Sequence, residues 1–144
     1  VRAFFRAAGG AALPAGPDSA SDDITLDTKA PTRKSQGKRF TAVPGGAGEV
    51  VVSFARDAAS DATSGLDKWI LVTQEKKPGV KALSSCVNLG PDAKAVEFPA
   101  AVTDPVTHTF TGLTAPGTHY VRVCAVDKAG LAAKGQSKTV KLMA

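Results

Sequence analysis

The sequence predicts an all-β chain, two antiparallel sheets packed face to face, and three observations carry that expectation. Apolar residues alternate with a period of two. Val50, Val52 and Phe54 fall on one side of residues 49–56, and Val121, Val123 and Ala125 on one side of residues 118–126. Turn chemistry recurs between such runs, at Pro44-Gly45-Gly46, Pro78-Gly79, Pro116-Gly117 and Ala129-Gly130, where Pro fixes φ and Gly is free to take φ > 0. No segment combines a helical period with helix caps.

Taken in order, residues 39–43 can form a first strand, closed by the Pro-Gly-Gly turn. Residues 49–56 are the strongest strand, and Phe54 is the expected centre of the core. Residues 57–67 read as a polar loop. Residues 68–75 follow as a strand in which Trp69 packs beside Phe54; a sugar-stacking platform is its rival role. Residues 76–79 turn the chain, and residues 82–89 are expected to form a short strand carrying Cys86. Residues 94–103 are ambiguous, with Val96, Phe98 and Val102 able to cover an open edge. Residues 107–111 form the next strand, with Phe110 inward, then 118–126, and residues 136–143 the last.

The N-terminal stretch has an internal counterpart. Val1 to Gly10 matches Val121 to Gly130, and Ser21 to Leu26 matches Ser137 to Leu142, a repeat of about 116–120 residues. Residues 1–31 are therefore expected to be the C-terminal strand pair of a preceding or partner sandwich plus a junction, residues 32–38 a linker, and residues 39–144 a complete sandwich. A lone hairpin is marginal in water. Val1, Ala3, Phe4, Phe5, Ile24, Leu26 and Asp27 are accordingly the expected linkage residues, pairing within a longer polypeptide or with another chain. The start at Val1 reads as a processed product or a piece of something longer.

Gly112-Leu113-Thr114-Ala115-Pro116-Gly117-Thr118-His119-Tyr120-Val121-Arg122-Val123-Cys124-Ala125-Val126-Asp127-Lys128-Ala129-Gly130 resembles the later strands of a fibronectin type III-like module. Asp27-Thr28-Lys29-Ala30-Pro31 is similar to the junction between bacterial immunoglobulin-like tandem repeats. The run from Asp61 through Ser64-Gly65 to Trp69 resembles the same repeats, with Trp where Tyr is usual. The resemblance implies a fibronectin type III-like two-sheet antiparallel sandwich, preceded by a β-hairpin from an adjacent repeat, in an extracellular or cell-surface protein. It implies no ligand, because this kind of sandwich hosts many unrelated functions.

Composition narrows the classes further. Hydrophobic residues make up 43% of 144, enough for a folded core, and no apolar run approaches the ~20 residues of a membrane-inserted helix. The net charge is +5, and Lys29, Arg33, Lys34, Lys38 and Arg39 form the one basic cluster. It lacks interleaved aromatics for base stacking, so nucleic acid is not an expected partner; it reads as a solvated linker. Cys86 and Cys124 are too far apart for a CxxC motif. Either they pair as a disulfide, which would mark an oxidising compartment, or they are two separate buried thiols. His108 and His119 have neither a nucleophile-elbow serine nor a third zinc ligand by spacing, so no enzyme and no zinc site are expected. Asp27 at the junction, Asp57 and Asp61 in one loop and Asp127 in another could hold calcium; ordinary turn caps are the simpler reading, and otherwise no cofactor or metal is expected.

The function expected from all this is non-catalytic: a structural or adhesive repeat of an extracellular surface protein or filament. It would link neighbouring repeats or identical subunits through its N-terminal hairpin. The alternative is a carbohydrate- or anionic-polymer-binding accessory module of a secreted enzyme, meeting polysaccharide through Trp69 or the basic cluster.

Overall fold

A computed structural model describes residues 26–33, 40–56 and 58–144. Among these residues the chain forms nine strands and no helix: β1 (Thr32–Arg33), β2 (Phe40–Pro44), β3 (Val50–Phe54), β4 (Ala59–Ser60), β5 (Leu66–Glu75), β6 (Ala93–Pro99), β7 (Val106–Phe110), β8 (Gly117–Asp127) and β9 (Gln136–Leu142). Three sheets result, in the orders β2-β3-β7, β6-β5-β8-β9 and β1-β4. Every pairing is antiparallel.

The period-two pattern decides what lies between the two larger sheets. Phe40, Val50, Val52, Phe54, Val106 and Phe110 come from the three-stranded sheet. Trp69, Leu71, Val121, Val123, Ala125, Val140 and Leu142 come from the four-stranded one, and all join one buried cluster. The molecule is therefore a β-sandwich whose core follows the alternation of side chains along each strand. Phe54 sits at its centre, with ring centroids 5.1 Å from Trp69 and 6.5 Å from Phe98.

The four-stranded sheet buries part of its outer face as well. Ile70 and Val72 on β5 and Cys124 and Val126 on β8 pack with Leu83 and Cys86 from the segment between β5 and β6. A disulfide joins Cys86 to Cys124, with the two Cα atoms 6.1 Å apart. Arg122 adds a second tether, its Nε donating to the Leu83 carbonyl at 2.7 Å. Its guanidinium also donates to the carbonyl of Lys134. Gly135 follows at φ 74°, and a Cβ there would run into the carbonyl oxygen of Val123, so only glycine lets β9 approach β8 this closely.

Three details depart from the sequence expectation. Residues 82–89 form no strand; the disulfide and Arg122 hold them as an irregular cover, so side-chain anchors replace a ladder. Of residues 94–103, those up to Pro99 belong to β6, the edge strand paired to β5 from Lys68↔Pro99 to Gln74↔Ala93, and the rest lie in the turn beyond it. Thr32 and Arg33 are not free linker but form β1, paired with Ser60 and Ala59 of β4 inside the stretch expected to be a plain loop.

One titration follows from the packing. His108 on β7 lies edge-on to Phe98 and Phe110, with centroid distances of 5.7 and 4.8 Å. Burial pushes its imidazole below the ordinary histidine value. The unfolded chain then takes up this proton first as pH falls, so stability declines below the unfolded value near ~6.5 and levels off below the folded one. The urea midpoint should fall less between pH 7.5 and 5 in His108→Gln than in the unsubstituted chain. Equal falls in the two proteins would rule this contribution out.

A candidate carboxylate site at the linker

Three loops meet at one end of the sandwich, and each presents an aspartate. Asp27 belongs to the segment leading into β1. Its Oδ1 accepts the N–H of Lys29 at 3.0 Å, a tight Asx turn that sets the side chain's direction. Four residues on, Pro31 is buried, and β1 then pairs with β4. The approach to the sandwich is thus fixed by a turn, a buried ring and a short ladder.

Asp61 opens the loop between β4 and β5. Its Oδ1 accepts N–H groups from Thr63, Ser64 and Gly65 at 3.0, 2.8 and 3.0 Å, and the Ser64 hydroxyl at 3.4 Å. The backbone N–H of Ser64 contributes most to holding this carboxyl below the usual aspartate value; desolvation opposes it, and the other donors add to it. Asp61 is therefore a stable anion.

Asp127 ends β8 and opens the turn to β9. Its Oδ1 accepts the Leu131 N–H at 2.8 Å, while its own N–H donates to the Leu131 carbonyl at 3.1 Å. Lys128 N–H donates to the Gly65 carbonyl at 3.0 Å, which ties this turn to the Asp61 loop. Asp127 is 1% exposed. One carboxylate oxygen from each of Asp27, Asp61 and Asp127 lies within 4.8 Å of the others.

The arrangement is polarised. In all three residues Oδ1 does the structural work of organising a turn. Oδ2 of Asp27 and Oδ2 of Asp127 are buried without a hydrogen-bond partner among the described residues. None of the ion pairs formed among those residues, Lys68–Glu97, Lys77–Glu75 and Lys77–Asp92, reaches the three carboxylates. Carboxylates this close repel one another, and the two buried Oδ2 atoms lack compensation from donors among the described residues.

The other expected site residues divide cleanly. Cys86 and Cys124 are bonded, so neither is a thiol available to His108 or His119. His119 is buried, and its Nε2 donates to the Thr114 carbonyl at 3.0 Å, a structural role. Trp69 is 2% exposed and packs on Phe54, which removes it as a sugar platform. Lys29 and Arg33 of the basic cluster are exposed, as is Leu26. Val1, Ala3, Phe4, Phe5, Ile24, Lys34, Lys38, Arg39 and Asp57 lie outside the described residues. Arg122 went unnoticed as an anchor because nothing local in the sequence marks an arginine that bonds to a distant carbonyl.

No protein-family model and no curated protein matches the chain. Among solved structures it is similar to a family 76 glycoside hydrolase from a bovine Bacteroides thetaiotaomicron strain, with a TM-score of 0.51 and 12% identity over 79% of this chain. The chain spans about a fifth of that protein, the match covering 20% of its length. At such identity the likeness concerns the fold alone. No helix among the described residues is long and apolar enough to cross a membrane. The disulfide is the mark of an oxidising compartment.

Proposed function

We propose that this chain is a non-catalytic structural repeat of an extracellular surface protein or filament, a fibronectin type III-like module that joins its neighbours through residues 1–31. The observation that carries the reading is the docking of the segment before the sandwich. β1 pairs with β4, Pro31 is buried, and Asp27 meets Asp61 and Asp127 at the same end. A connection held in this way transmits the position of one module to the next, whereas a free tether would not. The three-on-four strand order and the disulfide support the fold and the exported setting. The rival reading as a polysaccharide-binding module is left with the basic cluster alone, since Trp69 is buried.

Removing residues 1–31 tests the reading. The truncated chain should still unfold cooperatively by circular dichroism and remain a monomer by light scattering at every concentration. Open-ended growth of the whole chain, abolished by the truncation, is pairing between chains. A monomeric whole chain assigns the hairpin to a preceding module of the same polypeptide. A truncated chain that fails to fold, or that associates as the whole chain does, overturns the proposal.

A further inference from the structure

We propose that Asp27, Asp61 and Asp127 bind one Ca²⁺ ion that fastens the linker to the sandwich. Two independent observations meet here. The first is geometric: three carboxylate oxygens within 4.8 Å of one another match the span of a calcium shell, because ligands on opposite sides of an ion at about 2.4 Å lie about 4.8 Å apart. The second is the unmet bonding capacity. Asp127 is 99% removed from solvent by its 1% exposure, yet its Oδ2 has no partner among the described residues, and neither does the buried Oδ2 of Asp27. A satisfied turn cap would not leave these oxygens buried and bare.

The chemistry selects the ion. The donors are hard carboxylate oxygens with no imidazole or thiolate among them, which suits calcium or magnesium better than zinc or copper. They come from three separate segments, and calcium tolerates six to eight oxygens at roughly 2.3–2.6 Å in variable geometry. Magnesium demands a tight octahedron at roughly 2.0–2.1 Å and keeps its water. Backbone carbonyls of the same loops and solvent can complete the shell.

Position gives the ion a role. Asp61 and Asp127 belong to the sandwich, already coupled through the Lys128–Gly65 hydrogen bond, while Asp27 belongs to the linker. An ion shared by all three would make linker docking calcium-dependent, stiffening the joint when calcium is abundant. The stiffening rests on the reading of this chain as a linked repeat; the binding does not.

The test is calorimetric titration of CaCl₂ into the chelator-treated whole chain, with MgCl₂ as the comparison, and thermal melts in each state. One site is expected, with an affinity in or tighter than the roughly 10⁻⁴–10⁻³ M range of extracellular modules, and a melting temperature raised by calcium more than by magnesium. Asp27→Asn keeps the oxygen that accepts from Lys29. It should weaken binding by about tenfold or more without lowering the calcium-free melt, because it also relieves repulsion among the three carboxylates. No calcium binding, calcium binding untouched by Asp27→Asn, or equal binding of magnesium overturns the proposal. A monomer that binds calcium with these properties upholds the site whatever becomes of the linking role.

Discussion

Replacing Phe54 by alanine is expected to cost about 3–5 kcal/mol of unfolding free energy, enough to consume much of the roughly 5–15 kcal/mol typical of a domain this size. Phe54 is 1% exposed, pairs with Phe40 on β2 and Val106 on β7, and stacks at a tilt on Trp69 across the sandwich. Deleting the ring removes apolar burial from both sheets at once and leaves a void that the β ladders on either side prevent from collapsing. Urea unfolding followed by circular dichroism reads the loss. Val43→Ala, at a position 50% exposed on the edge strand β2, is the control and should stay within about 0.5 kcal/mol. A Phe54→Ala protein as stable as that control would mean the core is centred elsewhere.

Removing the disulfide is expected to have a comparable effect through a different route. Cys86 and Cys124 close a loop with a sequence separation of 38. The chain-entropy relation gives about 4 kcal/mol for a loop of that length. The double substitution Cys86→Ala and Cys124→Ala avoids leaving a free buried thiol, since Cys124 is fully buried. Besides the global loss, limited proteolysis should become faster between Lys76 and Asp92. That segment lies without a ladder on the outer face of the four-stranded sheet, and without the disulfide its middle would be held by the Arg122–Leu83 hydrogen bond and the packing of Leu83 and Leu89. Unchanged stability together with unchanged cleavage would show that packing alone holds the cover. The outcome also bears on setting, because a protein that depends on this bond must fold where thiols are oxidised.

The two predictions probe parts of the chain that were legible to different degrees. The strand faces around Phe54 could be read from alternation alone, since a strand exposes its period directly and the core must take one side. The pairing of Cys86 with Cys124 was also within reach. Its supporting structure was not: residues 82–89 carry enough apolar side chains, Leu83, Cys86, Val87 and Leu89, to suggest a strand, but β6 already occupies the place beside β5, so the segment lies across the sheet instead. β1 and β4 escaped notice because two-residue strands have no period to detect.

Sequence alone is enough to make the chain all-β, to place every long strand except β6, to say which side of those strands faces the core, and to leave its two cysteines able to bond. These are local properties, written in side-chain alternation and turn residues. Long-range packing is what docks the linker on the sandwich and brings Asp27, Asp61 and Asp127 together, while Asp67 lies exposed at the bulge between Leu66 and Lys68. An aspartate in a turn looks the same in sequence whether its second oxygen faces water or another carboxylate. The difference arises when strands remote in the chain bring their ends together, and no local pattern records that meeting.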